Sequence, residues 1–76
     1  MTILELLEKH KTYLPIYSLA VYNFKNSLRY KNSSEDSNEK KLVNFLEEFI
    51  NSIEFEDLET FSRLEKEVKN KINTLL

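Results

Sequence analysis

The chain has 76 residues, no glycine, one proline and no cysteine, and its 13 acids against 11 bases leave a net charge of −2. Glycine supplies left-handed turns and lets backbone approach a phosphate, so its absence argues against hairpin-rich folds, P-loops and dinucleotide-binding turns. A chain this short without disulfides is held by packing or by association with another chain, and it is read as one domain over residues 1–76.

The first element opens on Thr2-Ile3-Leu4-Glu5, a capping box in which the threonine hydroxyl accepts from the glutamate amide and the carboxylate reaches back. This predicts a short helix from Ile3 to about Lys11. Acids lie inside its apolar run and no basic segment precedes it, so a signal peptide is not expected. His10 falls in the apolar stripe of this helix, among Ile3, Leu6, Leu7 and Leu14. A lone histidine there reads as a packed residue with one ring nitrogen bonded locally, and next as a pH-sensitive contact.

Pro15 lacks an amide proton and would clash with the carbonyl of Lys11. A break is therefore expected at residues 12–14, with a second helix running from there to about Lys31, since proline suits a first helical turn. That helix has two apolar sides. One gathers Ile16, Tyr17, Ala20, Val21, Phe24 and Leu28 and suffices for core, while the other carries Leu19, Tyr22, Asn26, Arg29 and Tyr30, with Lys25 beside them.

Asn32 to Asn38 is polar and built of residues whose side chains compete for backbone hydrogen bonds, so it reads as a loop. Asp36 with Glu39, or Ser37 alone, is expected to cap a third helix reaching about Ile53. Its broad apolar face holds Leu42, Val43, Phe45, Leu46, Phe49, Ile50 and Ile53. The stripe then changes phase, which places a break at 54–56 and makes Asp57 the cap of a fourth helix. There Leu58, Phe61, Leu64, Val68, Ile72 and Leu75 form the buried stripe. The acid-to-base spacings Glu59–Arg63, Glu65–Lys69 and Glu67–Lys71 mark the solvated side. Glu65 sits at the border of the stripe, where its carboxylate either reaches water or Lys69 or accepts from a tyrosine hydroxyl across the bundle.

The resulting expectation is an all-α, small four-helix bundle, its first helix short and the next three longer, with largely antiparallel neighbours. Its core is expected to centre on Phe24, Leu28, Leu42, Leu46, Phe49, Ile53, Phe61, Leu64, Val68 and Ile72.

Chemistry has little to work with. A zinc site needs three or four His, Cys or carboxylate ligands at matched spacing, and no such motif is present, so no metal or cofactor is expected. Seven serines without a glycine-flanked elbow, no cysteine and one core-facing histidine give no nucleophile with a base, and no catalytic residue is assigned. No apolar run approaches the roughly 20 residues that span a bilayer. A cytoplasmic protein that does not engage membranes is expected.

Charge is unevenly placed. Residues 1–31 hold Lys9, Lys11, Lys25, Arg29 and Lys31 against Glu5 and Glu8, net +3, while residues 32–76 are net −5. All four tyrosines lie in the basic part, between Tyr13 and Tyr30. Either the two parts attract each other within the bundle, or the first presents a contact surface, because tyrosine and arginine supply many interface anchors. The functional expectation is a non-enzymatic protein-binding module acting through Leu19, Tyr22, Lys25, Asn26, Arg29 and Tyr30. Its type would be an inhibitor or antidote, such as a phage-encoded inhibitor of a host or defence protein or an immunity-like bundle. A homodimer is compatible with this reading. The alternative is a small transcriptional or nucleic-acid-binding regulator, against which the net negative charge and the few clustered bases argue.

Overall fold

The computed structural model describes the backbone of residues 2–75 and the side chains of residues 2–68. Five helices follow in order, α1 (Ile3–Thr12), α2 (Leu14–Lys25), α3 (Leu28–Lys31), α4 (Asn38–Glu54) and α5 (Leu58–Leu75), with no strand among the described residues. None is long and apolar enough to cross a membrane among the described residues.

The start of α1 is the capping box read from Thr2 and Glu5: the Glu5 amide donates to the Thr2 hydroxyl at 3.2 Å, and the Thr2 amide to the Glu5 carboxylate at 3.3 Å. The break before Pro15 occurs and is narrow. Tyr13 alone joins α1 to α2, with Pro15 in the first turn of α2, where a missing amide proton costs no intrahelical bond.

The expected second helix is divided, and this corrects the four-helix count. Asn26 and Ser27 interrupt it, leaving α3 as a separate turn of four residues. The Ser27 hydroxyl does two things: it donates to the Phe24 carbonyl at 2.6 Å and accepts from the Tyr30 amide at 3.2 Å. The Asn26 side chain donates to the Tyr22 carbonyl at 2.9 Å. Short polar side chains that bond nearby backbone offer the chain an alternative to continuing the helix. That signal was in the sequence, and the apolar periodicity of residues 16–28 hid it.

At α4 the cap is Ser37, whose hydroxyl accepts from the Lys40 amide at 3.2 Å. The end of α4 shows how a chain without glycine makes a left-handed turn. Glu56 has φ of 53°, its amide donates to the Ile53 carbonyl, and the Asp57 amide donates to the Ser52 carbonyl. These are the two bonds of a Schellman motif, which normally places glycine where Glu56 stands. Asp57 then caps α5 as expected, accepting from the Thr60 amide at 3.2 Å and the Thr60 hydroxyl at 2.7 Å.

The core lies chiefly between α4 and α5. Leu42, Val43, Leu46, Phe49, Ile50 and Ile53 of α4 pack with Phe61, Leu64 and Val68 of α5, and the rings of Phe49 and Phe61 stack at 5.5 Å. Leu7 of α1 and Val21 of α2 complete the buried set, with Phe24, Tyr17 and Tyr30 half-buried against it. Three residues expected on buried faces are exposed: Leu28 at 75%, Ile16 at 55% and Leu58, the first residue of α5, at 37%. The break at Asn26–Ser27 turns Leu28 out of the register that a continuous helix would have given it. The Ile72 side chain lies outside the described residues.

Candidate functional site

The outer side of α2 holds most of the residues singled out in the sequence. Leu19 is 59% exposed and Tyr22 65% exposed, and Asn26 follows on the same side, its amide committed to ending the helix. Lys25 is exposed and reaches Glu47 of α4 at 3.7 Å. The break moves the other two onto α3. Arg29 is exposed and its Nε donates to Glu39 at 3.0 Å, while its guanidinium lies 5.8 Å from the centre of the Phe24 ring. That contact, after the bond from its own backbone amide, helps hold the Glu39 carboxyl below the usual carboxylate range. Tyr30 stands apart from the group. It is half-buried, edge-on to Phe24 at 5.9 Å, with the Lys40 ammonium 3.9 Å above its ring.

Beside Tyr22 and Lys25 the α2–α4 packing leaves a surface groove of about 270 Å³. Val21 and Ile50 form its buried floor, and Ser18, Tyr22, Lys25, Glu47 and Asn51 its rim. An apolar floor with polar groups of both signs on the rim suits an apolar side chain whose neighbours hydrogen-bond. Val21 and Ile50 belong to two separate apolar stripes in the sequence. No local signal pairs residue 21 with residue 50, and only the docking of α2 on α4 does so.

A second concentration of functional groups is internal. His10 of α1 approaches α2, α4 and α5 together. Its Nδ1 lies 2.7 Å from the Tyr17 hydroxyl, its Nε2 lies 3.8 Å from Glu65, and its ring stands edge-on to Phe49 at 5.3 Å and to Phe61 at 5.6 Å. Burial pushes the imidazole below its ordinary value, Glu65 opposes that shift and neighbouring Lys9 adds to it. Burial also pushes the Tyr17 phenol up, with the nearby Tyr13 adding to it. Glu65 thus turns inward to a histidine, a partner that its sequence position did not suggest, while the Lys69 side chain lies outside the described residues. Arg63 likewise reaches Glu48 of α4, at 2.9 Å.

Lys11 binds both Glu8 and Glu56, tying the end of α1 to the α4–α5 turn. The hydrogen bond from Lys11 holds the Glu56 carboxyl below its ordinary range and, reciprocally, raises Lys11. Among the described residues no group of three or more His, Cys, Asp or Glu side chains could hold a metal ion. Comparison with protein-family models, with curated proteins and with solved structures found no match.

Proposed function

We propose that the protein is a small non-enzymatic binding module, of the inhibitor or antidote type, that engages another protein through the outer side of α2. The observation that carries this reading is the exposure of Leu19 and Tyr22, 59% and 65%, beside a groove with an apolar floor, on a helix already seated by Val21. Tyrosine offers a large contact area for few frozen torsions. The partner suited to this surface presents an apolar side chain to the groove and polar groups to Lys25, Glu47 and Asn51. Arg29 extends the contact from α3, and Tyr30 steadies α3 from inside. With α2 and α3 taken as one bent helix, the scaffold is a four-helix bundle with largely antiparallel neighbours, and its setting is cytoplasmic.

The pairing of Lys25 with Glu47 and of Arg29 with Glu39 favours a protein over a nucleic acid, because these cations are partly neutralised by carboxylates that would repel phosphate. The double variant Leu19→Ser/Tyr22→Ala tests the reading. Captured from lysate under matched conditions, wild type should retain a specific protein that the variant loses, with helical signal and melting temperature unchanged. Parallel loss of melting temperature and binding would make the surface structural. Co-purified nucleic acid released steeply by salt would replace this reading with a regulator. A second copy of the chain is a further candidate for the same face, and sedimentation equilibrium at high micromolar concentration distinguishes it.

A further inference from the structure

We infer that α1 is a proton-released cover: uptake of a proton at His10 loosens α1 from α4 and α5 in mildly acidic solution, before the rest of the bundle opens. The inference rests on the His10 cluster and is independent of what binds α2.

The cluster is built for a neutral imidazole. The tautomer is assigned with the Tyr17 hydroxyl donating to Nδ1 across 2.7 Å, because the ring proton then sits on Nε2 and faces the Glu65 carboxylate at 3.8 Å. That is too long for a direct hydrogen bond. The ring edges press on Phe49 and Phe61, both with no exposed surface. A second proton has to enter at Nδ1, where the phenol must stop donating and begin accepting. It also places a full charge against two apolar rings.

Every element around the ring contributes to the balance. Glu65 on α5 favours the charge, Lys9 on α1 opposes it, Tyr17 on α2 stays protonated because burial raises its phenol, and α4 meets the ring with uncharged Phe49. Desolvation outweighs Glu65, so the closed form holds its histidine neutral below the ordinary value of about 6.5. Above that value the open and closed forms are both neutral and α1 is fully seated. As pH falls through it, the open form takes the proton first, and seating weakens until pH reaches the lowered value of the closed form.

Other carboxylates with resolved shifts lie below their ordinary range, namely Glu39, Glu56 and Asp57. Their protonation belongs to more acidic solution, below the histidine window that opens at about pH 6.5. The effect is local because α1 is weakly held. Leu7 is its one fully buried side chain, Tyr13 alone links it to α2, and its outer tie to the α4–α5 turn is the exposed pair Lys11–Glu56. By contrast α4 buries a stripe along its whole length. Local openings of this kind have lower free energies than global unfolding.

Native-state amide hydrogen exchange at pH 7.0 and pH 5.5, corrected for intrinsic rates, tests the inference. Amides of α1 should lose protection several-fold, to a limit of about eightfold for one proton bound only in the open form, while α4 amides hold theirs. His10→Phe keeps the ring contacts and should abolish the loss, as should His10→Gln if the phenylalanine variant does not fold. Glu65→Gln removes the opposing charge and should enlarge it. The imidazole resonance should titrate below the ordinary histidine value, and lower still in Glu65→Gln. Equal loss in α1 and α4, unchanged α1 protection, or a loss that persists in both His10 variants would each overturn the inference.

Discussion

Helices α2 and α4 make an instructive pair. Of the two, α2 is richer in apolar residues: Leu14, Ile16, Tyr17, Leu19, Ala20, Val21, Tyr22 and Phe24 fall within its twelve positions. Yet only Val21 is buried there, whereas α4 buries Leu42, Val43, Leu46, Phe49, Ile50 and Ile53. The difference lies in arrangement. On α4 the apolar positions recur on one face at helical spacing and the opposite face is charged, so a single contact with α5 covers them. On α2 they run around the cylinder. A helix seated against α4 by Val21 leaves Leu19 and Tyr22 of its far side open.

Substitutions can break that comparison at several strengths. Phe49→Ala and Phe61→Ala remove fully buried stacked rings and should each cost about 3–5 kcal/mol. That approaches the total stability of a small domain, so urea melts should show little folded protein. A melting temperature within a few degrees of wild type for either would mean that the α4–α5 seam is not the core. Ser27→Ala should cost about 1 kcal/mol by removing the cap of α3. The loss should show in exchange at residues 28–31 before it shows in α4.

Glu56→Gly relieves a non-glycine residue at φ of 53° while deleting an exposed ion pair with Lys11. Because exposed pairs contribute little and the left-handed conformation penalises a β-carbon, the melting temperature should rise by a few degrees. A fall would assign the Lys11–Glu56 contact the larger role in holding α1. At the small end, Ile16→Ala and Leu28→Ala should change stability by less than about 0.5 kcal/mol, although both belong to the apolar side of the segment. A cost comparable to that of Leu46→Ala would show that these exposed side chains are covered in solution, and would point to association.

The candidate surface sharpens the comparison from the functional side. Leu19 and Tyr22 are the exposed counterparts of the α4 stripe: similar residue types left mostly open to solvent. Their exposure was legible from the sequence as a second apolar side on one helix. Arg29 and Tyr30 would share that side only on a continuous helix. The chain turns at Ser27, which sends Arg29 to Glu39 and Tyr30 inward against Phe24 and Lys40. The groove formed by Val21 and Ile50 had no signal of its own, because it depends on which side of α4 receives α2.

By itself the sequence determined the local features: a helical chain, a capping box at Thr2 and Glu5, a break before Pro15, a cap at Asp57, the buried stripe of α4 and, on α5, Phe61, Leu64 and Val68. These follow from backbone sterics, side-chain-to-backbone bonds within a turn, and periodicity, all of which act over a few residues. Tertiary structure decided the rest. It chose which of the two apolar sides of α2 was covered, turned Glu65 toward His10 and Arg63 toward Glu48, and drew Lys11 to Glu56 across 45 positions of chain. The reason is physical: a charged or apolar side chain at a helix border has several partners within reach, and the docking of neighbouring helices selects among them.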